Sequence, residues 1–272
     1  MHSVQASRLM YLDEFNLNRV NSKKNRLESM LLDVNSLKRI QWEILIEFTH
    51  ASNAIEGSPF TIDETHMIMD TGKDFMAKLP YFHRLTVNHT YAFEYIRNNM
   101  RKNITANRFL ELHEITMRNI DKEAGQFRDQ SGRNIICGRL TEFLEKLNNS
   151  QKYHIIEKSA LLQGYLHRIR PFNYGTGSIA RLASKWMLNN CGYVTGLPLN
   201  PYEVKYYRRC AEKAGKGTVT PLVHLMVMCV EETLDLLLSK VKSLNILPVE
   251  EAMKNNRLMS LAQNVDAKPY TE

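Results

Sequence analysis

The segment His167-Arg-Ile-Arg-Pro-Phe-Asn-Tyr-Gly-Thr-Gly-Ser-Ile-Ala-Arg181 has the residue types and spacing of a turn that can hold an anion. Gly175 and Gly177 stand two apart, so the backbone can turn sharply there and approach a ligand closely. Ser178 is placed to cap the helix that follows. Such a turn presents amide N–H groups and a helix N-terminus to a phosphate or carboxylate. A Gly-x-Gly between two helical stretches also serves as an ordinary tight connection, so the loop by itself leaves both readings open.

Helices must hold that loop in place, and helical periodicity dominates the chain. Leu31, Leu32, Val34, Leu37, Ile40, Ile44, Leu45 and Phe48 recur at spacings of three and four, which puts one apolar stripe on a long helix. It runs into Ser52-Asn-Ala-Ile-Glu-Gly57, where Gly57 and then Pro59 end it. Thr61-Ile-Asp-Glu64 has the pattern of a capping box and starts the next helix at Ile62. Further helical patterns cover Leu85 to Met100, Thr105 to Ile120, Thr141 to Leu147, Ile155 to Ile169, Ser178 to Asn190 and Pro221 to Leu244. The exception is Gln126 to Arg139. Ser131-Gly132 lies there between short segments and Asn134-Ile-Ile-Cys137 is rich in strand formers, which predicts a β-hairpin. With no repeat and no long Gly/Ser linker, the expected organisation is all-α: an N-terminal helical extension over 1–70, a core over 71–245 and a polar tail over 246–272.

Composition excludes several classes. Hydrophobic residues at 43% and charged residues at 24% match ordinary globular proteins and exclude a disordered chain. No apolar run is long enough to cross a bilayer, and Met1 to Asn21 lacks a signal-peptide core, so no membrane association and a cytoplasmic location are expected. Cys137, Cys191, Cys210 and Cys229 are far apart without metal-ligand spacing, which speaks against structural zinc and for reduced thiols. The net charge of +7 comes from scattered Lys and Arg without a nucleic-acid motif, so no specific nucleic-acid partner is expected. Nothing in the sequence sets an oligomeric state.

Pro171-Phe172, Gly175, Gly177 and Arg181 stand at the spacing of HPFx[D/E]GNGRxxR, and through them the chain resembles the Fic (Fido) family. Ser52-Asn-Ala-Ile-Glu-Gly57 is similar to the [S/T]xxxE[G/N] motif of members that carry their own N-terminal inhibitory helix. Ala124-Gly-Gln-Phe-Arg128 resembles the start of the family's target-binding flap, with Gly125, Phe127 and Arg128 as its residues. Pro80 to Ile96 and Leu197 to Leu234 resemble flanking family helices. The resemblance implies a compact Fic-type helical bundle with a short β-hairpin flap, and an activity that moves AMP from ATP to a target hydroxyl.

The departures from that signature bear on chemistry. Arg170 stands at the position of the family's general-base His, and an arginine cannot accept the proton. Tyr174 replaces the acid that holds magnesium, and a phenol is a poor ligand for a hard cation. Thr176 replaces the signature Asn and Ser178 the first signature Arg. Losing a positioned base removes roughly 10²–10⁴ in rate, and losing the metal removes further transition-state stabilisation. His167, one turn before Arg170, offers a weak substitute base, against which stands a packing role.

The expectation is therefore a protein impaired in transfer, without Mg²⁺, that acts by binding. One binding reading takes ATP or another nucleotide at Arg170, Gly175, Thr176, Gly177, Ser178 and Arg181; in the other, Arg170 simply pairs with a neighbouring acid. A target protein adding a strand at the flap is a further possible partner. The alternative is an active nucleotidyl- or phosphate-group transferase with altered catalytic residues. The inhibitory-type motif predicts a salt bridge between Glu56 and Arg181, with Ser52 hydrogen-bonding nearby.

Overall fold

The computed structural model of the chain describes residues 11–30, 34–75, 79–128, 133–197 and 201–243. Among them run ten helices: α1 (Glu14–Glu28), α2 (Val34–Glu56), α3 (Ile62–Thr71), α4 (Pro80–Asn98), α5 (Ala106–Met117), α6 (Arg133–Asn149), α7 (Ile155–Ile169), α8 (Thr176–Asn189), α9 (Pro201–Gly215) and α10 (Thr220–Ser243). No described helix is long and apolar enough to cross a membrane. The four cysteines are free thiols.

Local chemistry sets several of the boundaries. Thr61 and Glu64 close a reciprocal capping box at the start of α3, with N–H to oxygen distances of 3.1 and 2.9 Å. Thr105 caps α5 through the amide of Arg108. At α7 the buried Glu157 accepts the His154 amide through Oε2, and its Oε1 accepts the amides of Tyr11 and Leu12. One carboxylate thus caps a central helix and ties down the chain ahead of α1.

Helix α7 lies at the centre, with Ile156, Ala160, Leu162 and Leu166 buried against α8, α9 and α10. Every residue of α8 from Ser178 to Leu188 is buried. Helix α2 lays Ile40, Ile44, Phe48, Ala51 and Ile55 inward and packs against α3, α4, α8 and α9, which brings its C-terminal end to the start of α8. Helix α1 rests on α10, where Arg19 and Lys23 pair with Glu231 and Lys23 also reaches Asp235.

The all-helical class holds, but the β-hairpin does not. No strand occurs among the described residues, and Asn134-Ile-Ile-Cys137 forms the first turn of α6. The reason is the repeat Ile136, Leu140, Leu144, Leu147, all buried at helical spacing, which overrides the strand preference of two isoleucines. The expected tip at Ser131-Gly132 and the polar tail over 246–272 lie outside the described residues, and no described strand edge is available for strand addition. Ser178 is corrected as well. The N-cap of α8 is Gly175, and Ser178 sits inside the first turn with its side chain buried.

Candidate functional site

The α7–α8 junction begins at Arg170, whose backbone takes the left-handed region at φ 42° while its amide donates to Leu166 O at 2.9 Å. For a residue with a Cβ this conformation costs about 1–2 kcal/mol. The side chain is exposed and forms no ion pair with any described residue. Pro171 and Phe172 turn inward, and Phe172 stacks on the ring of His113 at 3.8 Å and on Phe127 at 5.7 Å.

His113 staples two segments together. Its Nδ1 accepts the Gly125 amide at 3.0 Å, so its Nε2 carries the hydrogen and donates to Tyr174 O at 3.1 Å. That tautomer is neutral, and burial keeps the ring's pKa below the ordinary imidazole value. The Arg128 amide adds a bond to Pro171 O at 2.9 Å. Gly125, Phe127 and Arg128 therefore do lie against the loop, though as an irregular segment. Tyr174 is held by its carbonyl while its side chain is 64% exposed.

Gly175 then makes the turn into α8. Its φ of 73° favours glycine, and a Cβ there would lie 2.5 Å from Cε of the buried Met117. No side chain caps the helix, so the first amides of α8 are open to an external acceptor. Thr176 Oγ1 donates back to Phe172 O at 3.3 Å. Ser178 Oγ lies 3.2 Å from Nε2 of His89, a histidine of α4 that is fully buried. Burial, and secondarily the charge of Arg181, lower the His89 pKa to about 3; the ring is neutral and its Nδ1 has no hydrogen-bond partner.

Arg181, one turn further along α8, is buried and gripped by α2. Its Nε donates to Ser52 Oγ at 2.9 Å, and its Nη2 donates to Ser52 O at 3.1 Å and to Glu56 Oε1 at 2.5 Å. The guanidinium also lies over the Tyr207 ring at 5.9 Å. Gly177 completes the arrangement, because a Cβ there would stand 2.7 Å from Glu56 Oε1 and 3.2 Å from Arg181 Nη1. The Glu56 carboxylate thus lies against the opening turn of α8, the end of a helix dipole that favours negative charge.

The remaining candidate, His167, contributes nothing to the loop's surface. Its Nε2 is buried without a partner. Burial, then the charge of Arg181, lowers its pKa to about 4, which makes it a feeble base. The expected pair of Glu56 and Arg181 with Ser52 beside it is present. His89, His113 and Tyr207 were not singled out in the sequence, since each reaches the loop from a distant element without a local motif.

Chemically, the junction offers uncapped amides, a buried arginine and a carboxylate lying where an external anion would go. Around Tyr174 the loop offers an exposed phenol and Asn173, whose side-chain amide donates to the Glu123 carboxylate, and no group of three metal-ligating residues occurs among the described residues.

Residues 103–188 match the Fic/DOC family. Protein adenylyltransferase Fic of Culex quinquefasciatus is 29% identical over 248 residues, 86% of this chain and 49% of that protein. The same-named protein of Aedes aegypti is 28% identical over 243 residues, 84% of this chain and 48% of the relative. The chain thus spans about half the length of the curated relatives it matches. Among solved structures, Fic-1 from C. elegans superposes with a TM-score of 0.77 at 20% identity, over 84% of this chain and 72% of that one. A Fic domain containing signaling protein from Bacteroides thetaiotaomicron gives 0.72 at 20% identity, over 84% and 98%. These likenesses establish the fold.

Proposed function

The chain belongs to the Fic/DOC family, and from that premise we propose that it binds a nucleotide phosphate at the start of α8 while being impaired in transferring AMP. What supports the reading is that the first turn of α8 has no side-chain cap and lies beside Arg181, while the side chains of Arg170 and Tyr174 lie exposed. An arginine cannot accept a proton, and a phenol is a poor magnesium ligand. The amides at Thr176, Gly177 and Ser178 with Arg181 would hold the phosphates, and Arg170 would add charge from the rim. When bound, the nucleotide supplies the anionic phosphates that this turn recognises.

Glu56 already occupies Arg181, so nucleotide and Glu56 compete for one guanidinium. ATP is the first ligand to test, because the relatives are named adenylyltransferases. The strained backbone of Arg170 favours a second reading, an active transferase with altered catalytic residues, since such strain in an exposed loop residue clusters at working sites.

A calorimetric titration with ATP, with and without Mg²⁺, on wild type and Glu56→Gly decides between them when paired with a labelled-nucleotide transfer assay. The expected result is saturable, magnesium-independent binding that strengthens in Glu56→Gly, with no label transferred. Label on protein in the Glu56→Gly assay establishes the second reading. Absence of binding in both proteins overturns the proposal.

A further inference from the structure

For Glu56 to reach Arg181, α2 must stop at one residue and in one direction. Its last turn closes as a Schellman arrangement, with Ser58 N donating to Asn53 O at 2.9 Å and Gly57 N to Ala54 O at 3.0 Å. Gly57 allows this with its φ of 100°. Those bonds use the carbonyls of Asn53 and Ala54 and leave that of Ile55 for a partner outside the helix. The partner comes from α9. Arg208 Nε donates to Ile55 O at 2.8 Å, its Nη2 donates to the same oxygen, and Nη2 also makes a longer contact to Ala54 O at 3.4 Å. A guanidinium at this place suits both the unpaired carbonyl and the negative end of the helix dipole.

We infer that Arg208 is a positioning residue for the Glu56–Arg181 pair, an inference that rests on the proposed competition between Glu56 and nucleotide. Two arginines hold the end of α2 from opposite elements. Arg181 of α8 takes the hydroxyl and carbonyl of Ser52, and Arg208 of α9 takes the carbonyl of Ile55, so the residue between them and the turn, Glu56, is set in direction. Among the described residues, Arg208 forms no hydrogen bond or ion pair with Arg181 or the Glu56 carboxylate and acts only through the backbone. It is also exposed, whereas its neighbour Tyr207 is buried and donates to Gln163. Replacing Arg208 therefore removes a grip on α2 without opening the core.

The test compares wild type, Arg208→Ala, Arg208→Lys and Glu56→Gly by amide hydrogen exchange and by ATP titration. In Arg208→Ala, exchange over residues 54–58 is expected to speed up by about tenfold, the scale of losing a charge-assisted hydrogen bond, while α7 stays protected. ATP affinity should rise by several-fold, part of the gain of Glu56→Gly. Arg208→Lys, with one compact ammonium, should restore part of both, and Arg208→Ala added to Glu56→Gly should add no affinity. Unchanged exchange over 54–58 overturns the inference. So does an affinity gain in Glu56→Gly with none in Arg208→Ala. If Glu56→Gly itself leaves affinity unchanged, the competition reading fails and the role assigned to Arg208 fails with it, even where faster exchange shows that Arg208 holds the helix end.

Discussion

Gly177 lacks the one atom that would keep Glu56 away from Arg181: a Cβ there would lie 2.7 Å from the Glu56 Oε1 that sits 2.5 Å from Arg181 Nη2. The glycine and the ion pair are therefore one device. Arg181 is buried while Glu56 remains partly exposed, so the pair joins the interior of α8 to the movable end of a side chain.

Gly177→Ala should separate these functions. The clash falls on the far end of a flexible glutamate, and alanine is the better helix former by about 1 kcal/mol, so the melting temperature should stay within a few degrees of wild type. The coupling should not survive. Glu56→Gln is expected to change stability in the wild-type background and to do almost nothing in Gly177→Ala, which a double-mutant cycle measured by urea unfolding reads directly.

Acid should destabilise the fold through His89 and His167. Their folded pKa values, about 3 and about 4, lie below the ordinary 6.5, so below pH 6.5 the unfolded chain binds protons that the folded chain refuses. Stability is complete above 6.5 and falls as pH drops toward 4. Between pH 7.5 and 5.0 each histidine should remove about 2 kcal/mol. Urea unfolding at the two pH values checks this, and His167→Gln should show a smaller loss by about one histidine's share.

Lys185 should act at the other end of the pH scale. It is fully buried on α8, donates to Thr195 O at 2.8 Å and lies over the Phe48 ring at 4.8 Å, with no acid beside it. Burial lowers its pKa from 10.5 to about 7, so above pH 7 the unfolded chain holds a proton that the folded chain has lost. Stability then rises with pH, by about 2 kcal/mol from pH 7 to 9. Lys185→Met should remove that rise; a variant that keeps the wild-type slope would mean the ammonium stays charged inside.

Which parts of this were legible follows from how local each signal is. The stripe of α2, the Thr61–Glu64 box and the bounds of α7 were readable because caps and periodicity lie within one element. Helix α6 was misread because Ile135 and Ile136 look like a strand until Leu140, Leu144 and Leu147 are counted with them. Helix α9 gave no stripe, since Tyr207, Cys210, Ala211 and Ala214 are its buried face and only small or polar-tipped residues make it up. At the site, Glu56 and Arg181 were found through motifs. His89, His113 and Arg208 were not, because each is defined only by what it meets across the fold.

Restoring the signature should fail at one position. Arg170 and Tyr174 are exposed, so Arg170→His and Tyr174→Asp should each change stability by no more than about 0.5 kcal/mol. Ser178 is different: it is fully buried beneath the first turn of α8, with His89 against its hydroxyl and the Arg181 guanidinium one turn away. An arginine there would bring a second charge into the interior, where the nearest carboxylate in the ion-pair network, Glu56, is already engaged. An uncompensated buried charge costs about 3–5 kcal/mol, or some 2–4 °C of melting temperature per kcal/mol for a chain near this size. The triple variant Arg170→His, Tyr174→Asp, Thr176→Asn is therefore expected to melt close to wild type, and adding Ser178→Arg should lower the transition by about 6 °C or more. Replacing His89 with alanine in the quadruple variant should recover part of the loss by opening room for the new side chain. If Ser178→Arg melts like wild type, the space under α8 is open to solvent, and all four departures from the signature, at 170, 174, 176 and 178, can be reversed without loss of the fold.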